Sequence, residues 1–315
     1  MDQVTDLLGE PWLCETIDLA PDDEGPVVAT LVSHRSGGPT RRAVLYVHGF
    51  ADYFFQVELA QWWLARGYDF YALDLRKCGR SLRPGQTPHH VGDLATYYEE
   101  LDASWARVVE RDGHDRVTVM AHSTGGLTTS LWAHDRQPTQ LDGLVLNSPW
   151  VDLQGSALVR TVGTRAIQEI GRRQPMRVIP RKVNGLYVRS LHRDFEGEWD
   201  FDLELKPLQS YLVHAGWLRA VRNGHFRLHR GLDVGCPVLV LSSGATAWPD
   251  EMGPAVFEHD IVLEVPQIRR WATAIGRHVH YVAVPGAVHD VMLSRAEPRA
   301  TAYAELGRWH DAYVS

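Results

Sequence analysis

Ser123 has the setting that most suggests covalent chemistry. It lies in Val117-Thr-Val-Met-Ala-His-Ser-Thr-Gly-Gly126, where an apolar run ends at Ala121 and a helical pattern (Leu127 to His134) follows directly. A serine on a sharp strand-to-helix turn adopts a strained backbone, and the residues two positions away must be small for the turn to close. Gly125 meets that need, and Ala121 meets it less permissively. Such a turn lifts the Ser123 hydroxyl above the sheet edge and aims the Thr124 N–H at a reacting carbonyl. The plainer reading of the same residues is a helix cap beside glycines used in packing.

An unassisted serine hydroxyl is a poor nucleophile at neutral pH, so a base is required. Of 16 histidines, His289 in Val282-Ala-Val-Pro-Gly-Ala-Val-His-Asp290 is the one that follows a final strand and a Pro-Gly turn. A carboxylate must orient the imidazole and stabilise its charged form. Asp260 precedes the last helix–strand unit and is the first candidate; Asp250 in the same loop and Asp152 beyond an earlier strand are its rivals. A second strand pattern, Val44-Leu-Tyr-Val-His-Gly-Phe50, ends where the Phe50 N–H can complete an oxyanion hole with Thr124. Gly49 lets that backbone approach a substrate. His48 is read as a hydrogen-bonded structural ring, and Asp74 and Asp290 as loop or capping groups. Trp150 and His122 are expected to contact substrate.

The elements that must hold these residues alternate along the chain. Apolar, β-branched runs at 27–32, 43–47, 69–73, 117–121, 144–146, 238–241 and 279–284 read as strands buried on both faces, and 14–19 adds a first, alternating one. Between them Asp93 can cap a helix with Leu94, Tyr97, Tyr98, Leu101, Trp105, Val108 and Val109 on one face. Helical patterns at 55–66 and 267–275 stop at Gly67 and Gly276, each expected as a left-handed C-cap. This alternation predicts an α/β fold with a mostly parallel central sheet and helices on both faces.

One stretch interrupts the alternation. Residues 151–234 are too long for an ordinary connection and carry 14 Lys/Arg against 9 Asp/Glu in a chain of net charge −7. They read as an inserted cap, with residues 1–150 and 235–315 forming the core. Within the cap, Asp194 to Leu205 alternates acidic and apolar residues, which predicts an extended segment with one acidic face. Trp150, Leu153, Leu158, Phe195, Trp199, Trp217 and Phe226 suggest an acyl or aromatic pocket.

The chain resembles the α/β-hydrolase superfamily, and within it the monoglyceride lipase, lysophospholipase and serine-aminopeptidase-like branch. The resemblance is carried by His48-Gly49, Asp74-Leu-Arg-Lys-Cys-Gly-Arg-Ser81, Ala121-His-Ser-Thr-Gly125, Asp260-Ile-Val and His289-Asp290. It implies Ser123 as nucleophile, Asp260 as acid and His289 as base, with Phe50 and Thr124 as oxyanion donors. Ala121, where glycine is commoner, and Cys78, read as a packing residue, depart from the pattern. Dehalogenases and epoxide hydrolases of similar appearance place Asp where this chain has Ser123.

These residues point to a serine hydrolase cleaving carboxylic esters, acyl or lysolipid-like, with neither metal nor organic cofactor. A slow-turnover ligand-binding protein on the same scaffold, or a small-peptide or amide hydrolase, are the alternatives. The acidic balance gives no reason to expect nucleic-acid binding. No apolar run approaches the ~18 residues of a membrane span. The start lacks a signal-peptide pattern, and three widely spaced cysteines imply no disulfide framework. The expected setting is cytoplasmic; the partner is a small ester with an apolar acyl group, and a homodimer is compatible with the sequence.

Overall fold

The computed structural model describes residues 3–155, 163–181 and 183–315. Leu158, expected in the pocket, lies outside them. Every apolar run named above forms a strand, β2 (Leu13–Asp22), β3 (Gly25–His34), β4 (Arg42–Val47), β5 (Asp69–Asp74), β6 (Arg116–His122), β7 (Leu141–Asn147), β8 (Val238–Ser243) and β9 (Val279–Val284), but the stretch expected as the first strand is the second, because a short β1 (Val4–Thr5), too brief to show a pattern in sequence, precedes it. Among the described residues they form one sheet in the order β1-β2-β3-β5-β4-β6-β7-β8-β9. The pairings from β1 to β5 are antiparallel and the rest are parallel. The expected α/β architecture is borne out.

The helices are α1 (Val57–Leu64), α2 (Tyr98–Ala106), α3 (Thr124–Arg136), α4 (Thr164–Arg173), α5 (Leu186–Leu191), α6 (Ala215–Leu228), α7 (Pro254–Glu258), α8 (Val265–Trp271) and α9 (Ala296–Tyr313). Successive side chains of a strand point to opposite faces, so the central strands feed two cores. Ala43, Leu45 and Val47 of β4 meet Leu101 of α2, Leu127 and Trp132 of α3, Val221 of α6 and Ile268 of α8. Val44 and Tyr46 join Leu59 and Trp63 of α1 and Leu306 and Trp309 of α9 on the other side. Register brings Val47 level with Ala121, Ala121 level with Leu146, and Asn147 level with Leu241. The carboxyl ends of four strands therefore share one edge, where ligands of open α/β sheets bind.

The connection from β7 to β8 carries α4, α5 and α6. α6 lies close to α3 through Gly224, where an added Cβ would come within 2.9 Å of Leu94 and 3.1 Å of Leu131. A smaller cluster of Tyr53, Phe55, Val188, Leu191, Phe201, Val288 and Leu293 ties this connection to the loops after β4 and β9.

Four further expectations need correction. β9 is half exposed, because it closes the sheet and has a neighbour on one side only. Gly67 is left-handed (φ +79°) but Gly276 is not; the helical stretch before Gly276 finishes instead in a 3-10 turn at Ala272–Ala274. The helix expected after Asp93 is a 3-10 turn (Leu94–Tyr97), then α2, then a wide π turn (Arg107–Arg111), with Asp93 accepting from the Ala95 N–H as foreseen. Asp194–Leu205 is a series of turns rather than a strand, although burial alternates from Trp199 to Leu205.

His225 on α6 is fully buried and donates its Nε2–H to the Trp150 carbonyl at 2.9 Å. Burial, with Arg222 alongside, pushes its pKa down to about 3. The unfolded chain takes a proton at the ordinary imidazole value that the folded chain refuses, so folding stability falls as pH drops below that value. His225→Gln is expected to flatten the pH dependence of unfolding free energy by about one proton between roughly pH 6 and 4, ~1.4 kcal/mol per pH unit in urea titrations. An unchanged slope would contradict this.

Candidate active site

Ser123 joins β6 to α3 with φ +53° and ψ −119°, a conformation that a non-glycine residue holds only under constraint. The constraint is visible on each side. The Ser123 N–H donates to the Asn147 carbonyl at 3.0 Å, and its own carbonyl accepts from Gly126 and Trp150, each at 3.0 Å. A Cβ on Gly125 would sit 2.3 Å from the His48 carbonyl oxygen, and one on Gly49 would sit 2.9 Å from Ser123 Cβ. Gly125 is thus required by the approach of the β4 backbone, and Gly49 by the approach of Ser123 itself. Ala121 is fully buried in β6 between β4 and β7, so its methyl group is accommodated by the sheet.

Ser123 Oγ lies 3.1 Å from His289 Nε2, and His289 Nδ1 lies 2.8 Å from Asp260 Oδ2. Asp260 is fully buried; its other oxygen accepts from the Val262 N–H (2.8 Å) and Leu263 N–H (2.7 Å). Its backbone pairs with the strand-like segment after β8, through Asp260 N–H to Ala245 and Ala247 N–H to Asp260. Of the three carboxylates weighed above, Asp260 is the one that meets the imidazole. Asp152 is salt-bridged to Arg222 at 2.6 Å, and Asp250 is exposed on the cleft. Asp290 caps the turn after His289 by accepting from the Met292 N–H. Asp74 pairs with Arg80 and accepts from the Phe54 N–H.

The chain after β4 runs beside this serine. Thr124, as the first residue of α3, has no intrahelical acceptor for its N–H. Among the described residues neither that N–H nor the Phe50 N–H meets a protein acceptor. His48 is a structural ring as expected: Nδ1 donates to Gly49 O (2.7 Å) and Nε2 accepts from the Leu75 N–H (3.1 Å). His89 was not among the residues expected near the serine. It is buried, accepts from the Ala51 N–H at 3.2 Å, and lies 3.0 Å from Cys78 Sγ. Cys78 donates to the Arg76 carbonyl, and burial raises its pKa well above normal, which fits a packed thiol.

Above the serine opens a cleft of about 600 Å³, within the range of small-molecule sites. Trp150, Leu153 and Trp217 line it, as does His122; Phe195, Trp199 and Phe226 do not. Their aromatic character alone could not say which surface they face. His122 donates Nδ1–H to the Asn147 carbonyl and packs against the His289 ring at 4.7 Å. Burial pushes its pKa down to about 4. The cleft also holds a buried ion pair, Lys206 to Asp52 at 2.6 Å. Burial opposes the Asp52 charge, but Lys206 prevails and holds the carboxyl below its usual range.

A mostly parallel sheet, a strained serine at a strand-to-helix turn, and histidine and aspartate at successive later loops define an α/β-hydrolase. The sequence matches the family described as serine aminopeptidase, S33, over residues 38–294, and the chain belongs to that family. It is similar to phospholipase YtpA of Bacillus subtilis (28% identity over 115 residues, 35% of this chain and 41% of that protein). It is also similar to lysophospholipase L2 of Escherichia coli K12 (30% over 129 residues, 40% and 37%). The chain thus spans about two fifths of the length of these curated relatives. In fold it resembles a soluble variant of monoglyceride lipase from Saccharomyces cerevisiae (TM-score 0.71, 14% identity, 96% of each chain). Another likeness is a monoacylglycerol lipase from Paleococcus ferrophilus (TM-score 0.66, 20% identity, 89% and 97%). The branch expected from the sequence is borne out. No described helix is long and apolar enough to cross a membrane.

Gly125→Ala forces a methyl group into a backbone carbonyl, so we expect stability to fall by about 3 kcal/mol in urea unfolding; a loss below about 1 kcal/mol would mean that the turn relaxes. Burial keeps His122 from taking a proton at the ordinary imidazole value. His122→Gln should therefore leave the acid limb of the kcat/KM profile within about half a pH unit of wild type. A larger displacement would show that His122 itself titrates in the reaction.

Proposed function

We propose that this protein is a serine hydrolase that cleaves carboxylic esters through an acyl-enzyme on Ser123. The observation that carries the reading is the continuous chain from Ser123 Oγ to His289 to Asp260, set beneath a cleft with a largely apolar lining. In the acylation step His289 Nε2 takes the Ser123 proton as Oγ attacks the ester carbonyl carbon. The resulting oxyanion is met by the Phe50 and Thr124 N–H groups. His289 then returns the proton to the departing alcohol as the C–O bond breaks. Water, deprotonated by the same nitrogen, then attacks the acyl carbon; the bond to Ser123 Oγ breaks, Oγ takes the proton back from His289, and the carboxylic acid leaves. Asp260 accepts from Nδ1–H, fixing the tautomer and stabilising the imidazolium.

The described residues within 151–234 act as a cap over this machinery. Trp150, Leu153, Val213, Trp217 and Leu218 give the cleft an apolar wall suited to an acyl chain, with His122 completing the floor. The phospholipase and lysophospholipase relatives and the lipase-like folds support the same class, a lysolipid-like or monoacyl ester. The chemistry requires no metal or cofactor.

The test is hydrolysis of p-nitrophenyl esters from acetate to laurate, beside aminoacyl p-nitroanilides. Wild type should turn over the esters with a chain-length optimum set by the cleft and leave the anilides largely intact. Ser123→Ala should lose at least about 10³-fold in kcat, and Asp260→Asn a comparable amount with the protein still folded. Retention of ester turnover by Ser123→Ala would reject the reading, and faster cleavage of the anilides would move it to an aminopeptidase.

A further inference from the structure

The segment from Trp199 to Lys206 grips both loops that carry the site, yet the reaction as described uses none of it. Trp199 donates its indole N–H to the Leu293 carbonyl at 2.7 Å, just beyond His289. Phe201 packs on Phe55 with ring centres 4.7 Å apart, and the Asp202 N–H donates to the Tyr53 hydroxyl at 2.7 Å. At its end Lys206 Nζ donates to Asp52 Oδ1 at 2.6 Å, with side chains 5% and 2% exposed. The ammonium lies over the rings of Phe55 (5.6 Å) and Tyr187 (5.8 Å). Tyr187 in turn packs edge-on to His289 and accepts the Asp290 N–H.

Asp52 stands two residues after Phe50. Ala51 between them has φ +53°, a left-handed conformation that a non-glycine residue keeps only when its surroundings enforce it. From the core, His89 holds the Ala51 N–H; from the other side, Lys206 holds the Asp52 carboxylate. Removing one member of a buried ion pair leaves an uncompensated charge, so the neighbouring backbone has to move or admit water. An oxyanion donor acts mainly in the transition state, and a displacement of about 1 Å is enough to cost rate rather than binding.

We propose that Lys206 is a positioning residue: its ion pair with Asp52 holds the Phe50 N–H where the oxyanion forms. The segment expected from sequence to be a solvated acidic face is thereby a brace between the insertion and the catalytic loop. This rests on the acyl-enzyme reading.

The experiment compares wild type, Lys206→Met, Asp52→Asn and the double variant, with competent sites counted by fluorophosphonate labelling. For p-nitrophenyl butyrate, Lys206→Met should lose at least about tenfold in kcat per site while KM stays within about twofold. The Ki of a trifluoromethyl ketone, which forms a tetrahedral adduct, should rise in proportion to the loss in kcat/KM. The double variant should recover part of the loss, because no charge is left unpaired, but remain below wild type. A per-site kcat in Lys206→Met within twofold of wild type, or an unchanged ketone Ki as kcat falls, overturns the proposal. If Lys206→Met does not fold, the double variant decides: equality with wild type per site overturns it, and a partial defect with weakened ketone binding supports it. Wild type inactive on every ester would sink the acyl-enzyme reading itself; active wild type with unaffected variants sinks the brace alone.

Discussion

The close approach of the first turn of α3 to the end of β4 is the contact on which the site depends. At Gly125 the backbone is so near the Val47 and His48 carbonyls that a side chain of any size is excluded. That approach accompanies the strained turn at Ser123, whose N–H is held by the Asn147 carbonyl. The strain is held in place by the sheet: Val47, Ala121 and Leu146 are in register and fully buried, so the turn cannot relax by sliding a strand. A rigid parallel sheet is what allows the turn that carries Ser123 and Thr124 and the loop after β4 to be held in a fixed relation.

His289 and Asp260 are fixed by a different device, a buried polar network. Asp290 accepts from Asn147 at the end of β7 and from Gln56 before α1, and it caps the turn that follows His289. Ser294 Oγ accepts the Val288 N–H on the near side. Asp260 has one oxygen committed to two backbone N–H groups and one to the imidazole, so its charge is met without solvent. A network satisfied to this degree resists rearrangement, which suits a group that must hold one tautomer of one ring.

Much of this was legible in the sequence, for identifiable reasons. Central parallel strands are buried on both faces and so read as continuous apolar runs; β9 misled because an edge strand has the same composition and half the burial. The elbow was legible because only small residues close such a turn. Asp260 was legible as a first choice, from its place ahead of the last helix–strand unit, but sequence could not exclude Asp250 and Asp152, which differ from it only in what the fold brings to them; Arg222 claims Asp152. The segment at 199–205 shows how a two-residue period in burial arises from turns as well as from a strand. The partnership of Lys206 with Asp52, 154 positions apart, and the hold of His89 on Ala51 leave no local signature at all.

The central claim is that Ser123 forms a covalent acyl intermediate. Its most direct test is rapid-quench mass spectrometry of the protein mixed with a p-nitrophenyl ester, followed by peptide mapping. The account predicts a mass increment of one acyl group on the peptide containing Ser123, forming no slower than the burst of nitrophenol and absent from Ser123→Ala. Ester turnover with no adduct under any quench condition, or an adduct on another residue, would contradict it.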